Sequence, residues 1–457
     1  PYTPDFFIKQ GELEAYVEHF GITENHRHSL YSEQQLKRYV QHISFKRNVH
    51  ASNGTLLLET YSEYNDGRSL IDHLAELLKS NGFTITPKEP KEVYDKIIET
   101  GKDKYIFKFN YFAKEFIELF KTNGYKAGDF EVLRNKTENV RTRLFLDIVE
   151  GVYLHYQKRL QEKNEIDFAD MINEAAEFLS SEHADQINLN YKYIIIDEFQ
   201  DIARQRFDFA RVLAARTDAK ITAVGDDWQS IFAFAGSDIT LFTRFIELMG
   251  SGEEMKITHT YRNSQQLIDI AGHFVQKNSN QIKKSLVSPK QLHDPVKIIE
   301  YDDSYKMMKE LAIRTTEIIG EIYSRAPKAD ILLLGRYNFD LFKLCQSGDF
   351  VEGAAGKVIC NAFPQAKLTF LTVHSAKGLG YDEVIVLNMI EGIYGFPSQI
   401  ENDPIMRLVV RDDRGISFAE ERRLFYVSLT RTKNHVYLMT PQSKPSRFVI
   451  ELIKDHQ

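Results

Sequence analysis

Ile194-Ile195-Ile196-Asp197-Glu198-Phe199-Gln200-Asp201 is the stretch on which the fold turns. A short β-branched run between polar flanks suits a strand covered on both faces in a parallel sheet. Two carboxylates follow it directly, and open α/β sheets take their ligands at the carboxyl ends of their strands, so a nucleotide site is expected here. Asp197 is suited to hold Mg²⁺, a hard cation that wants oxygen ligands. Glu198 is suited to accept a proton from a water attacking a γ-phosphate. An isolated Asp-Glu is ordinarily two solvated acids opening a helix, where negative charge is favoured; the neighbours decide against that reading.

Working outward, residues 193–196 and 221–224 read as two strands, each ending at acidic residues and separated by a helical segment, the rhythm of a parallel sheet. A second set of strands is expected at 296–300, 331–334, 368–372, 384–387 and 435–439, with a helix over 418–429 before the last. Upstream, residues 69 to about 179 carry apolar residues at spacings of three and four, as in Val93-Ile97-Ile98 and Phe112-Phe116-Ile117-Phe120, which predicts packed helices. The first 62 residues form a separate α/β pattern: strand 14–20, basic helix 32–50, strand 55–61. Neither repeats nor low-complexity stretches occur.

With 457 residues the chain is too long for one core, and length suggests about three domains. A hydrophobic share of 43% with 27% charged residues fits globular cores and excludes disordered and collagen-like classes. No apolar run approaches the roughly 18 residues of a membrane span, and a cytoplasmic location is expected. Cys345 and Cys360 lack any disulfide framework or metal-ligand spacing and read as small buried hydrophobes. The net charge of −7 gives no general attraction to nucleic acid, so any such binding needs a local basic and aromatic track.

After the carboxylates comes Val224-Gly225-Asp226-Asp227-Trp228-Gln229-Ser230-Ile231-Phe232-Ala233-Phe234-Ala235-Gly236, then Thr260-Tyr261-Arg262-Asn263-Ser264. A glutamine amide can donate to a phosphate oxygen and accept from water, an aromatic face grips any base, and a guanidinium binds phosphate bidentately. In order and spacing these motifs resemble UvrD/Rep-type superfamily 1 helicases. The resemblance implies that Gln229 senses the γ-phosphate, Phe232 and Phe234 meet DNA, Tyr261 stacks on adenine and Arg262 is a first arginine finger. The family usually has arginine at Ala235.

Further on, Leu371-Thr372-Val373-His374-Ser375-Ala376-Lys377-Gly378-Leu379-Gly380 matches the family's threonine-valine-histidine motif, and Glu420-Glu421-Arg422-Arg423-Leu424-Phe425-Tyr426-Val427-Ser428-Leu429-Thr430-Arg431 its last motif. By resemblance Thr372 and His374 face the DNA backbone, Gly378 lets amides approach phosphate, and Arg431 is the second phosphate-facing arginine. Many relatives carry an acid at Gly380. Only a short stretch separates Arg336-Tyr337-Asn338 from Lys367, which excludes a large accessory insertion and resembles the DNA helicase IV group. Asp167-Phe168-Ala169-Asp170-Met171 also matches a family segment.

No Gly-x-x-x-x-Gly-Lys-Ser/Thr loop occurs, and Gly101-Lys102 and Gly356-Lys357 lack its other residues. That loop cradles the phosphates, so this chain alone is expected to hydrolyse ATP negligibly and to be a fragment whose loop lies upstream. At the other extreme, Pro4-Asp5, Glu18 and the basic residues Lys37 and Lys46 resemble a nuclease core, with His19-Phe20 where a lysine is usual. Either Asp5, Glu18 and Lys46 support Mg²⁺-dependent cleavage or the module is non-catalytic.

The expectation is therefore two RecA-like parallel-sheet (P-loop NTPase) domains with a helical insertion and an endonuclease-like α/β module. Its divisions are 1–80 (the module), 81–185 (helical insertion), 186–285 (rest of the first motor domain) and 286–457 (second motor domain). The function implied by resemblance is an ATP- and Mg²⁺-dependent helicase or translocase, moving 3′ to 5′ on single-stranded or partly duplex DNA in repair or recombination. A nuclease and a non-catalytic DNA-binding scaffold are the rivals.

Overall fold

The computed structural model describes residues 2–27, 33–89, 91–92, 96, 104–304, 309–410 and 416–456. Val93, Ile97 and Ile98, cited above for helical spacing, lie outside the described residues. The chain divides into two compact units, Pro1–Phe107 and Lys108–Gln457.

In the first unit β1 (Phe6–Gln10) runs antiparallel to β2 (Leu13–Thr23), and β2 pairs in parallel with β3 (Leu57–Glu63) across the helix α1 (Glu33–Asn53). Alternation along β2 sorts its side chains onto two faces. Ala15 and Val17 pack with Leu58 and with Leu74 and Leu77 of α2 (Leu70–Ser80), while Phe20 and Ile22 pack with Ile43 of α1. Ser69 starts α2 with a capping box shared with Asp72. Strand β1 was not anticipated, and β2 runs beyond the expected 14–20.

Helix α3 (Lys104–Thr122) spans the division at Lys108, and the second unit continues with α4 (Asp129–Asn135), α5 (Val140–Lys163) and α6 (Phe168–Ser180). Phe116, Phe120, Phe130 and Phe145 form an aromatic core shared by α3, α4 and α5, which also takes in Ile405, Met406, Val409 and Val410 from far along the chain. Next come β4 (Tyr193–Ile196), α7 (Arg204–Thr217) and β5 (Lys220–Ala223), with β4 and β5 parallel, then the short helices α8 (Ile239–Thr243) and α9 (Phe245–Met249) and the longer α10 (Gln265–Val275). This two-stranded part with its flanking helices is the first lobe.

The second lobe holds β6 (Val296–Tyr301), α11 (Glu310–Arg325), β7 (Asp330–Gly335), α12 (Phe339–Cys345), β8 (Phe350–Glu352), β9 (Lys357–Cys360), β10 (Lys367–Thr372), β11 (Glu383–Val386), α13 (Ala419–Thr430), β12 (Val436–Pro441) and α14 (Arg447–His456). Its seven strands lie in the order β6-β12-β11-β7-β10-β9-β8, parallel from β6 to β10 and antiparallel at β9 and β8. All five expected strands are present; the edge hairpin β8–β9 was not foreseen.

Buried strands alternate between two cores. Leu332, Leu334, Val386 and Leu438 meet Phe274 of α10, Phe425 of α13 and Phe448 of α14, whereas Leu333, Ile385, Tyr437 and Met439 meet Ile319 and Ile322 of α11 and Leu344 of α12. Trp228 and Ile231, from the loop after β5, belong to the first of these cores. The glutamine loop is therefore anchored in the second lobe's interior, which sets the position of the site.

Phe425 touches Phe274 at 5.0 Å between ring centroids, Phe448 at 5.5 Å and Phe396 at 5.6 Å. Phe425→Ala should cost about 3–5 kcal/mol and Phe425→Leu clearly less, read as a lowered urea midpoint of the transition that carries Trp228 fluorescence.

Candidate functional site

The carboxylate turn sits where β4 ends. Glu198 adopts φ 51°, a left-handed conformation that costs a non-glycine residue on the order of 1 kcal/mol. The turn is held by the Phe199 amide donating to the Val224 carbonyl at 2.8 Å and the Glu198 amide to Asp197 Oδ1 at 2.8 Å. Both Asp197 and Glu198 are exposed, on a cleft of about 370 Å³ also lined by Asp201 and Arg206. Behind them Gln200 is fully buried; its Nε2 donates to Glu198 Oε2 at 2.5 Å and its Oε1 accepts from the Asp226 amide at 2.9 Å. A Cβ on Gly225 would collide with Gln200, which explains the glycine.

The glutamine loop is pinned from beneath. Lys284 reaches both Asp226 and Asp227 at 2.5 Å and lies 4.9 Å from the Trp228 ring centroid, and the indole donates to the Ile282 carbonyl at 3.0 Å. Burial opposes the Lys284 charge, but the two aspartates overcome it and raise its pKa. Lys284 was missed by sequence reasoning because it belongs to no motif. Gln229 Nε2 donates to Asp226 Oδ2 at 2.6 Å, which leaves its Oε1 facing the other lobe.

That oxygen accepts from Arg431 Nη2 at 3.2 Å. Arg431 is buried, donating also to the carbonyls of Val427 at 3.1 Å and Leu379 at 3.2 Å. Burial, helped by the nearby charge of Arg262, lowers its pKa to about 10, so it stays charged at neutral pH. Arg262 and Tyr261 are exposed. A Cβ on Gly380 would meet Arg262 Nε at 3.3 Å, so the glycine leaves room for that guanidinium. Gly378, at φ +81°, faces open space. The seam is fastened further by Asn263 Nδ2 donating to the Thr432 carbonyl at 2.6 Å, by Arg423 Nε donating to the Ser230 carbonyl at 2.6 Å, and by Lys377 bonding Asp201.

The DNA-facing candidates divide. Phe234 is 51% exposed and meets the His374 ring edge-on at 5.3 Å. Phe232 packs instead against the second lobe's core, with the Lys377 ammonium 5.3 Å from its ring. The Thr372 hydroxyl pairs with Ser375 Oγ at 2.9 Å and accepts from the Ser375 amide, so it closes its own turn. Phe234 also borders a groove of about 860 Å³ lined by Tyr111, Lys114, Tyr156, Phe168 and Arg206. Phe168 is 86% exposed. Asp167 accepts from the Asp170 amide to cap α6 and bonds Lys121. The sequence motif Asp167–Met171 signalled this segment without giving the aromatic a role.

In the first unit Glu18 is fully buried, and its two oxygens accept from the Tyr2 hydroxyl and the Lys46 ammonium. Asp5 accepts from the His19 amide at 2.9 Å. Among the described residues no three His, Cys, Asp or Glu side chains are grouped to hold a metal ion, and no described helix is long and apolar enough to cross a membrane.

The seven-stranded sheet with its five parallel strands, the smaller parallel pair and the arginine-lined seam between them define a protein of RecA-like, two-lobed build. Residues 18–249 match the UvrD/REP helicase N-terminal domain and residues 358–443 the UvrD-like helicase C-terminal domain. The chain belongs to the UvrD-like helicase family. It is 32% identical over 346 residues to DNA helicase IV of Escherichia coli, covering 74% of this chain and 46% of that protein. A probable DNA helicase of Mycoplasma pneumoniae is 25% identical over 488 positions, covering 90% and 86%. The putative ATP-dependent DNA helicase YjcD of Bacillus subtilis is 25% identical over 264 residues, covering 57% and 32%. The chain thus spans about half the length of the first of these relatives.

Burial, reinforced by the positive charge of Arg336, lowers the His374 pKa from 6.5 to about 4. A depressed folded-state pKa means that the unfolded chain takes up the proton first. Stability from this group is whole above pH 6.5 and is lost as pH falls toward 4. In urea titrations at pH 7 and pH 4.5, His374→Gln should lose less stability on acidification than the unsubstituted chain; equal losses would refute the assignment.

Proposed function

We propose that this chain is the DNA-tracking and hydrolytic part of an ATP-dependent DNA helicase or translocase. It acts on single-stranded or partly duplex DNA, 3′ to 5′, in repair or recombination. The observation that carries this reading is the Gln229–Arg431 bond: a glutamine held beside the carboxylate turn of one lobe receives a buried arginine from the other, with Phe234 and His374 meeting across the same seam.

The residues present fit Mg²⁺ and ATP. Asp197 and Glu198 offer two exposed carboxylates, which suits a cation that keeps waters and phosphate oxygens as its other ligands. Bound Mg²⁺ supplies neutralisation of the charge spread over the phosphate oxygens. Glu198 holds the proton of the attacking water; Gln229, Arg262 and Arg431 bind the terminal phosphate from both lobes, and Tyr261 stacks on the base. Because Arg431 comes from the second lobe, hydrolysis depends on the seam being closed.

On the DNA side Phe234 offers a ring face to a base, and the groove running to Phe168, Tyr156 and Tyr111, with Lys114 and Arg206, gives aromatic and cationic contacts that tolerate any sequence. The β4–β5 pair keeps an exposed apolar face, with Ile195 74% exposed, although parallel sheets are ordinarily covered on both sides. A strand, phosphate loop and helix supplied from outside these residues would cover that face and complete the nucleotide site.

ATP hydrolysis stimulated by single-stranded DNA should be negligible for this chain and present for the natural coding sequence extended upstream to include a phosphate loop. Hydrolysis by neither would favour the non-catalytic scaffold. Phe234→Ala should weaken oligo(dT) binding about tenfold, by the 1–3 kcal/mol that a base stack contributes, measured by fluorescence anisotropy. We assign the first unit an architectural role, since both Glu18 oxygens are already engaged by Tyr2 and Lys46. No plasmid cleavage is expected with Mg²⁺ or Mn²⁺, and cleavage abolished by Asp5→Ala or Glu18→Ala would reverse that assignment.

A further inference from the structure

Lys377 follows His374 by three residues in the turn after β10, yet its ammonium lies within the carboxylate turn of the first lobe. Its side chain is only 8% exposed; it bonds Asp201 Oδ2 and stands 3.5 Å from Glu198 Oε2. A lysine this buried is held only because carboxylates compensate it. The same Glu198 oxygen accepts from Gln200 at 2.5 Å, so Gln200 and the Lys377 ammonium both lie against one of the two carboxylate oxygens.

The other end of this turn faces the DNA-side aromatics. His374 stands edge-on to Phe234, and the turn is tied together by the Ala376 amide donating to the Thr372 carbonyl at 3.0 Å and the Lys377 amide to the His374 carbonyl at 3.4 Å. A base lying between Phe234 and His374 needs two van der Waals gaps of about 3.5 Å, roughly 7 Å in all, against the present 5.3 Å between ring centroids. A base entering there would displace His374 by about 2 Å, and the hydrogen-bonded turn would carry Lys377 with it, past hydrogen-bonding reach of Asp201.

We propose that Lys377 is a positioning residue whose ion pair with Asp201 is a latch released by single-stranded DNA: latched, its ammonium stands beside Glu198 and competes with the proton of the attacking water for that carboxylate; released, it withdraws the competing cation. The inference rests on the DNA reading above and adds to it a physical reason for hydrolysis to wait on DNA. Lys377 acts through Glu198 and touches no reacting atom.

The test uses a form of the protein that carries a phosphate loop, with Lys377→Met, Asp201→Asn and the charge-retaining Lys377→Arg. Either disruptive substitution should raise DNA-independent ATP hydrolysis at least about fivefold while the DNA-stimulated rate stays close to that of the unsubstituted protein, and Lys377→Arg should keep the normal ratio. Coupling between sites is reciprocal, so Asp201→Asn, which alters no DNA-facing group, should also bind oligo(dT) about fivefold more tightly without nucleotide. An unchanged stimulation ratio with unchanged affinity, or a parallel fall in both rates, overturns the latch. If the unsubstituted protein hydrolyses no ATP even with DNA, the helicase reading fails instead, and the anisotropy measurement still decides the latch.

Discussion

Everything at the seam depends on burying the Arg431 guanidinium. An ion taken out of water costs several kcal/mol unless its donors are matched, and here the Val427 and Leu379 carbonyls and Gln229 Oε1 match them. Two of these acceptors belong to the second lobe and one to the first. Moving the lobes apart would therefore strip an acceptor from a buried cation, and moving them together restores it.

The loops meeting at Arg431 are built to hold still. Trp228 and Ile231 are embedded in the second lobe's core although their loop leaves the first lobe's β5, and Lys284 clamps Asp226 and Asp227 beneath them. Gln200 joins the carboxylate turn to that loop through the Asp226 amide. A rigid chain of contacts thus runs from Glu198 through Gln200 to Gln229 and on to Arg431. A second runs from Phe234 through His374 to Lys377 and back to Asp201. Both chains of contacts end at the carboxylate turn or the seam beside it.

Much of this was legible in the sequence because local pattern and motif agree there. The strands flanking Asp197 and Asp226, the five parallel strands of the second lobe and α13 all carry buried-strand or helical periodicity. Strand β1 and the hairpin β8–β9 were not, since short edge strands hold their place by pairing with distant residues and carry little hydrophobic signal of their own. The site divides in the same way. Motif order brought Gln229 and Arg431 forward, but nothing in spacing distinguishes Phe234, which is exposed, from Phe232, whose ring lies under Lys377. Lys377 and Asp201 are 176 residues apart and meet only through the fold.

The central claim is that nucleotide and DNA communicate through this seam. Its most direct test is the affinity of a form of the protein that carries a phosphate loop for oligo(dT) with and without a non-hydrolysable ATP analogue. The account predicts affinities that differ by at least about fivefold, with the difference lost when Arg431 is replaced by alanine. Equal affinities in the unsubstituted protein would contradict it.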